Sequence, residues 1–429
     1  MKKMFLPMAC ATMLVFCSCS KDDEVKAPVT PDPVEEQKPD VKLEDEMVTT
    51  HYYNPLNFSI PASIEINKRM QRFGWQFFKT AYVNREKAED MMISPVSLQI
   101  DMGMLLNGIK DGSRQQLLKT LGLEDFTMEQ INFYFKTLLE GIANADPAVK
   151  YTAANSAWMN HNWTADTDFI STLKDYYQAD VKSVDFTNPV TVGQINDWCS
   201  EHTQGKIDEL LEKTSEVDIA YLINAVYFKA PWAEEFSEGM TSAEPFHYAD
   251  GTVEDVDMMH HLVLNTLYAE NDRYQVMSLD FIDSSFRLLL MLPREGVGLA
   301  DAIPATFGTE EMTAMERKNV SLSLPKFTTE YTQEHVKNLL QAINPSFDIL
   351  NTDVTMVKEF IPELGWSVTQ KTFIKVDEKG AEAAAVTSTG VSVTSVPQKE
   401  AEIKLDRPFF YSIVEATSGC PLFIGYYGR

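Results

Sequence analysis

Residue types that do covalent or metal chemistry are present in this sequence, but not at spacings that would use them. No GxSxG elbow, Walker loop, HExxH helix or GxGxxG turn occurs. His260 and His261 are adjacent, so on a helix they could not share the face that a metal site needs, and both read as surface residues. Gly296-Val297-Gly298 is a loop fragment without a phosphate signal, and Lys110-Asp111 and Glu234-Glu235 read as solvated turn charges. Cys199 and Cys420 have no zinc-type CxxC spacing and read as two buried thiols. A hydrolase triad can be scattered along a chain, but nothing here points to one.

The segment that stands out is a potential substrate. Val376-Asp-Glu-Lys-Gly-Ala-Glu-Ala-Ala-Ala-Val-Thr387 leads into Ser-Thr-Gly-Val-Ser-Val-Thr-Ser-Val-Pro397, a run of small, nearly uncharged, moderately β-favouring residues. If it became a strand, Ala381, Ala383, Ala385, Thr387, Thr389, Val391 and Val393 would share one small, uncharged face. Glu382, Ala384, Val386, Ser388, Gly390 and Ser392 would take the other. A loop composed for burial as a central strand implies a protein with two states.

The elements around it must position and then accept such a strand. The spacing of Ile64, Ile66, Met70, Phe73, Phe77 and Ala81 predicts a helix with a broad apolar face. A second helix begins at Pro95, with Ser94 as its cap, and carries Leu98, Met102, Leu105 and Leu106 inward. Asp111-Gly112 breaks the chain before a helix at 113–121, and 192–211 is amphipathic with an interruption at Gly205. Strands dominate thereafter, at 221–229, 286–292, 320–324, 372–376 and 403–405, closing with 409–414 and 422–427. Helices early, strands late and no internal boundary argue one α+β domain over 51–429.

With these blocks in place the chain resembles a serpin over 60–429. The hinge Glu378-Lys379-Gly380-Ala381-Glu382-Ala383-Ala384-Ala385 is close to the family's inhibitory signature. Ser94-Pro95-Val96-Ser97, Ile195-Asn196-Asp197-Trp198 and Thr203-Gln204-Gly205-Lys206-Ile207 agree with it in order. So do Leu222-Ile223-Asn224-Ala225-Val226-Tyr227-Phe228-Lys229 with Trp232 and Phe236, Leu324-Pro325-Lys326-Phe327, Arg407-Pro408-Phe409 and Pro421-Leu422-Phe423-Ile424-Gly425. The resemblance implies a serpin fold: three β-sheets, about nine helices and an exposed reactive-centre loop at about 378–398. It implies a suicide inhibitor of endopeptidases: a protease cleaves the loop and is trapped as an acyl-enzyme when the loop inserts. The partner is thus a target protease, the inhibitor is no enzyme, and no cofactor or metal is involved. The alternative is a non-inhibitory member acting as a surface binding or adhesion lipoprotein, against which the small hinge residues argue.

By the family's spacing from Glu378, the reactive bond falls at Thr394–Ser395. Counting back from Pro408 places it three residues later, at Pro397–Gln398, and Val393–Thr394 and Val391–Ser392 stay open. The hinge proper spans Glu378 to Val386 and Thr387. No Arg or Lys lies between Gly380 and Gln398, so small and β-branched residues suit elastase-like or subtilisin-like serine proteases, with papain-like cysteine proteases also in range. The resemblance further implies a Lys326–Glu378 salt bridge with Trp232 packed nearby. Ser94, Ser97 and Asn224 are implied to line the region where the sheet opens. Gln370 stands where the family commonly has His; it can replace one hydrogen bond to Asn224 but cannot titrate. Ala381 stands where Thr is frequent, and its small side chain is compatible with insertion.

The N-terminus reads as an address. Lys2 and Lys3 precede an apolar stretch from Met4 to Phe16, so 1–18 reads as a lipoprotein signal peptide. Phe16-Cys17-Ser18-Cys19 resembles a lipobox, with Cys19 as the lipidated residue; several acyl chains there would give stable anchoring. Residues 19–50 form an acidic, Pro-containing tether beginning Ser20-Lys21-Asp22-Asp23-Glu24, similar to the tags of surface-exposed outer-membrane lipoproteins. The 429 residues carry a formal charge of −26, which becomes −28 once Lys2 and Lys3 are removed. Such acidity excludes a generic nucleic-acid-binding role and gives no support to a polyanion cofactor, and a soluble, lipid-tethered monomer is the expected form.

Overall fold

The computed structural model of the chain describes residues 56, 58, 60–347, 354–360, 368–381 and 398–429. Among them are nine α-helices: α1 (Pro61–Asn84), α2 (Pro95–Asn107), α3 (Asp111–Leu121), α4 (Met128–Ala143), α5 (Thr167–Tyr177), α6 (Pro189–His202), α7 (Leu299–Ala302), α8 (Thr309–Thr313) and α9 (Val336–Ile343). The strands are β1 (Met91–Ile93), β2 (Lys150–Asn160), β3 (Asp180–Val184), β4 (Ala220–Pro231), β5 (Ser242–His247), β6 (Val253–Glu270), β7 (Tyr274–Asp280), β8 (Phe286–Pro293), β9 (Glu316–Pro325) and β10 (Phe327–Gln333). They continue with β11 (Gln370–Asp377), β12 (Gly380–Ala381), β13 (Ala401–Lys404), β14 (Phe409–Glu415) and β15 (Pro421–Tyr427).

The expected elements are present, with local differences that have physical causes. On α1, Ile66, Met70, Phe73, Phe77 and Ala81 are buried, but Ile64 is 41 % exposed. It precedes Ile66 by two residues, about 200° round the helix and off the apolar stripe. The Ser94 hydroxyl accepts from the Ser97 N–H at 3.3 Å, capping α2 as the sequence suggests, and every residue from Pro95 to Leu106 is buried. The helix expected over 192–211 ends at His202, because Gln204 and Gly205 take left-handed φ values of 56° and 74°. Leu210 and Leu211 then return to the helix through their N–H groups, which both donate to Asn196 Oδ1. Cys199 and Cys420 are buried free thiols, as expected.

Six strands form one sheet in the order β10-β11-β12-β4-β2-β3. The other nine form a second, in the order β1-β15-β14-β8-β7-β6-β9-β13, with β5 also on β6. Three sheets were expected, and among the described residues the ladders join into two. The 18-residue β6 is the reason: it pairs with β5 near one end, with β7 near the other, and with β9 on both sides of an irregularity between His261 and Leu264. Such an irregularity bends a strand without ending its ladder, so β6 serves both regions. α2 packs against β4 of the smaller sheet and β15 of the larger, which places it in the main core between them.

Candidate functional site

The hinge begins where β11 ends. After Val376-Asp377 the chain turns through Glu378-Lys379 and comes back as β12, two residues long, seated between β11 and β4. Ala381 lies opposite Val376 on one side and Ala230 on the other, and Gly380 opposite Asp377 and Pro231. Ala381, the first residue of the face expected to be buried, is 1 % exposed and belongs to the main core. Glycine is required at 380 by close approach: a Cβ there would lie 2.2 Å from the Ala230 carbonyl oxygen.

The turn is clamped from three directions. Lys326 Nζ stands 3.2 Å from Glu378 Oε2, the ion pair expected there, and the Thr241 hydroxyl donates to Oε1 at 2.9 Å. Burial pushes the Glu378 carboxyl up, but hydrogen bonds from its own N–H and from Thr241, together with Lys326, hold it below the usual carboxylate range. Burial also pulls Lys326 down, and Glu378 outweighs it and raises the ammonium above its ordinary value. Trp232 packs nearby as expected: its indole N–H donates to the Asp377 carbonyl at 2.9 Å and its backbone N–H to the Lys379 carbonyl at 3.0 Å. The Phe236 N–H donates to the Glu378 carbonyl at 2.9 Å, and the Trp232 ring stacks on Phe281 at 4.6 Å.

Below Ala381 the sheet has a seam. On its other edge β4 is paired with β2 from Ala220 through Lys229, but among the described residues its ladder toward β11 runs only through the two residues of β12. Leu222, Asn224 and Val226 lie on that stretch and remain partly exposed, with Leu222 and Val226 packed against the main core. Edge backbone without a ladder partner among the described residues, beside half-covered small and apolar side chains, has the chemistry to pair with one more strand.

Of the residues expected to line the region where the sheet opens, Ser94 and Gln370 meet each other, and Asn224 has a different partner. Gln370 Oε1 accepts from the Ser94 N–H at 2.7 Å and its amide donates to the Ser94 carbonyl at 2.9 Å. Both ends of the Gln370 side chain are thus used on α2, and the bond expected to Asn224 is replaced by one from Asn224 Nδ2 to Asn155 Oδ1, at 2.6 Å. Register explains this: Asn155 sits directly opposite Asn224 in the β2–β4 ladder. Asn224 Oδ1 is buried without a partner.

His261 also departs from expectation. Neighbours in a strand point to opposite faces, so two adjacent histidines cannot share one surface. His260 is half-buried and 2.8 Å from Glu244, whereas His261 is half-buried against the Phe236 ring, with centroids 4.3 Å apart, and its Nε2 is buried without a partner. Burial lowers its basicity. Sequence reasoning missed Thr241 and Asn155; the only signal for Asn155 was an amide in an otherwise small and apolar run. Glu382, Ala383, Ala384, Ala385, Val386 and Thr387, the reactive-bond candidates Val391, Ser392, Val393, Thr394 and Ser395, and Cys19 lie outside the described residues.

A two-residue strand, clamped at its turn and seated between β11 and β4 at the head of the smaller sheet, is the arrangement this chain builds around its hinge. The family model described as Serpin (serine protease inhibitor) matches residues 68–428, and the chain belongs to the serpin family. Members of this family are in general protease inhibitors. Among curated relatives, an uncharacterized serpin-like protein of Thermococcus kodakarensis is 28 % identical over 343 residues, 78 % of this chain and 80 % of its own length. The native-state crystal structure of the thermophilic serpin tengpin matches with a TM-score of 0.76 and 27 % identity, over 85 % of this chain and 94 % of that one. Human thyroxine-binding globulin, solved as a thyroxine complex, shares the fold, with a TM-score of 0.74 and 22 % identity over 86 % and 99 % of the two chains.

Proposed function

We propose that this protein is a single-use, covalent-trapping inhibitor of serine endopeptidases with elastase-like or subtilisin-like preference. The observation that carries the reading is the seam between β11 and β4 with Ala381 already seated at its head. Continued in the same register, residues 382–391 would run opposite Lys229–Ala220, and Thr387 would arrive opposite both Asn224 and Gln370. The residues that would then face the core are small and uncharged, and Glu382 would face out.

In this mechanism the protease hydroxyl attacks the carbonyl of Thr394, and the amine of Ser395 leaves with a proton. The ester that remains must be hydrolysed by water before the protease is free. Insertion of the severed loop competes with that water, carries the protease away and distorts its site. New ladder hydrogen bonds and covered side chains drive it. The resting state is held by a barrier rather than by its rank in free energy, and each molecule acts once without turnover. The absence of Arg and Lys from 381–397 is what favours pockets for small residues over a trypsin-like target.

The same proposal takes 1–18 as signal, Cys19 as lipid anchor and 19–50 as tether, holding a monomeric domain at the outer membrane, facing out. Mixing the protein with elastase tests the central step. A complex that survives boiling in detergent is expected; clean loop cleavage without one refutes the proposal.

A further inference from the structure

The turn that follows α6 touches strands on both sides of the hinge. It passes through Gln204 and Gly205, both with left-handed backbone, a shape that is unfavourable at a residue with a Cβ and must be held in place. Local bonds hold it. The Gly205 N–H donates to the Ser200 carbonyl at 2.8 Å, the Lys206 N–H to the Thr203 carbonyl at 3.1 Å, and the Ile207 N–H to the Thr203 hydroxyl at 3.0 Å. Ile207 is then buried with Ile223 and Ala225, on the face of β4 away from the main core. The turn is therefore a fixed feature of that outer face.

Two of its side chains reach different strands. Gln204 Oε1 accepts from Lys150 Nζ of β2 at 2.9 Å, and the same ammonium lies 5.9 Å from the centre of the Tyr227 ring on β4. The Lys206 ammonium lies over the Phe373 ring of β11, 4.9 Å from its centre. Phe373 alternates with Thr372, bonded to the Met92 carbonyl, and with Ile374, in the main core, so its ring takes the outer face.

Register brings these contacts to one level. Ala381 is flanked by Val376 of β11 and Ala230 of β4, which run in the same direction because each is antiparallel to β12. Three residues back along each strand stand Phe373 and Tyr227. Where β12 lies between them, β4 and β11 are two strand spacings apart, about 9–10 Å, a width that a short turn and its side chains can cross. At the level of Phe373 and Tyr227 the two strands share no ladder among the described residues.

We propose that this turn is a strap across the outer face of the smaller sheet. Lys206 on Phe373 and Gln204 on Lys150 tie β11 to the β2–β4 edge, so the two strands cannot part at this level until one contact is released. The clamp at Glu378 holds the hinge itself, whereas the strap holds the strands that flank it. Its effect on trapping rests on the inhibitory reading above: a strand entering below Ala381 needs β4 and β11 to move, and releasing the strap is one step of that movement. A cation on a partly exposed ring is worth about a two- to fivefold change in an equilibrium or a rate.

Two measurements test this. The first needs no protease: a double-mutant cycle of Lys206→Met, which keeps the stem and loses the charge, with Phe373→Leu in urea unfolding. Losing the charge should lower the folded-to-unfolded ratio by about two- to fivefold when Phe373 is present and by nothing in Phe373→Leu. Additive effects overturn the strap. The second reads trapping against release, with hydroxylamine added at fixed concentration to compete for the acyl ester so that release is measurable. Lys206→Met should yield about two- to fivefold less freed elastase per detergent-stable complex than the wild type, and Lys206→Arg, which keeps a cation for the ring, should match the wild type. A variant less stable in urea yet better at trapping is the signature of a strap, since general loosening does not depend on the ring. An unchanged ratio overturns its role in insertion. If the wild type forms no complex at all, the inhibitory reading falls, and the unfolding cycle still decides whether the strap exists.

Discussion

Replacing Ala381 with Arg should turn the inhibitor into a substrate. Ala381 is the first hinge residue whose side chain enters the core, hemmed by Val376 and Ala230 on its two sides and almost fully buried. Because it faces the core rather than the outer surface, a guanidinium there cannot reach water along its stem, and no carboxylate among the described residues is bonded at that position. An unpaired buried charge costs several kcal/mol. If about 3 kcal/mol of that cost is felt in the transition state for insertion, insertion slows by about 150-fold. Hydrolysis of the acyl-enzyme does not involve position 381 and keeps its rate. The partition between trapping and release therefore shifts by the same factor, and many inhibitor molecules are cut for each protease trapped. Titrating a fixed amount of elastase and resolving the products on a denaturing gel measures this as the number of inhibitors consumed per complex. An Ala381→Arg variant that still traps protease one-to-one would refute the argument that position 381 must be buried for trapping.

Four further outcomes follow from the same geometry. Cleaving the loop should raise the thermal midpoint of the wild type well above that of the intact protein; equal midpoints would mean that no strand is gained. Gln370→Ala removes both bonds to Ser94 and leaves its N–H unpaired, so the resting state should lose about 1–3 kcal/mol in urea unfolding. Glu378 is held below its ordinary value of 4.5, so its stabilising contribution is complete above that pH and is lost as pH falls through the lowered value. The stability difference between wild type and Glu378→Gln, followed by thermal scans from pH 7 downward, should hold steady to about pH 4.5 and shrink as the pH falls further; a difference that begins to shrink well above that pH, or grows below it, would exclude the clamp as its source. Cys19→Ala should move the full chain, expressed in a Gram-negative host, from the membrane fraction to the soluble one.

Much of the site was legible beforehand because it depends on residue size and alternation. Gly380 and Ala381 announce a position without room for a side chain, and the Lys326–Glu378 pair joins opposite charges that the family pattern already placed together. What could not be read was choice among partners. The Gln370 amide could have met Asn224 or a backbone; the closeness of Ser94 on α2 decided it. Asn224 found Asn155 because the β2–β4 register sets them face to face, and register is a property of two strands that neither sequence segment carries alone. His261 differs from His260 only by the face it occupies at the bend in β6.

By itself, then, the sequence determined the helices, the strands, the family and a loop composed for burial, since apolar period and side-chain volume act locally along the chain. Only the tertiary structure decided that Ala381 is already seated between β11 and β4, that Gln370 turns to Ser94 and that Asn224 turns to Asn155. These depend on which distant segments meet and at what register, and free energy gained in such contacts belongs to the pair rather than to either residue.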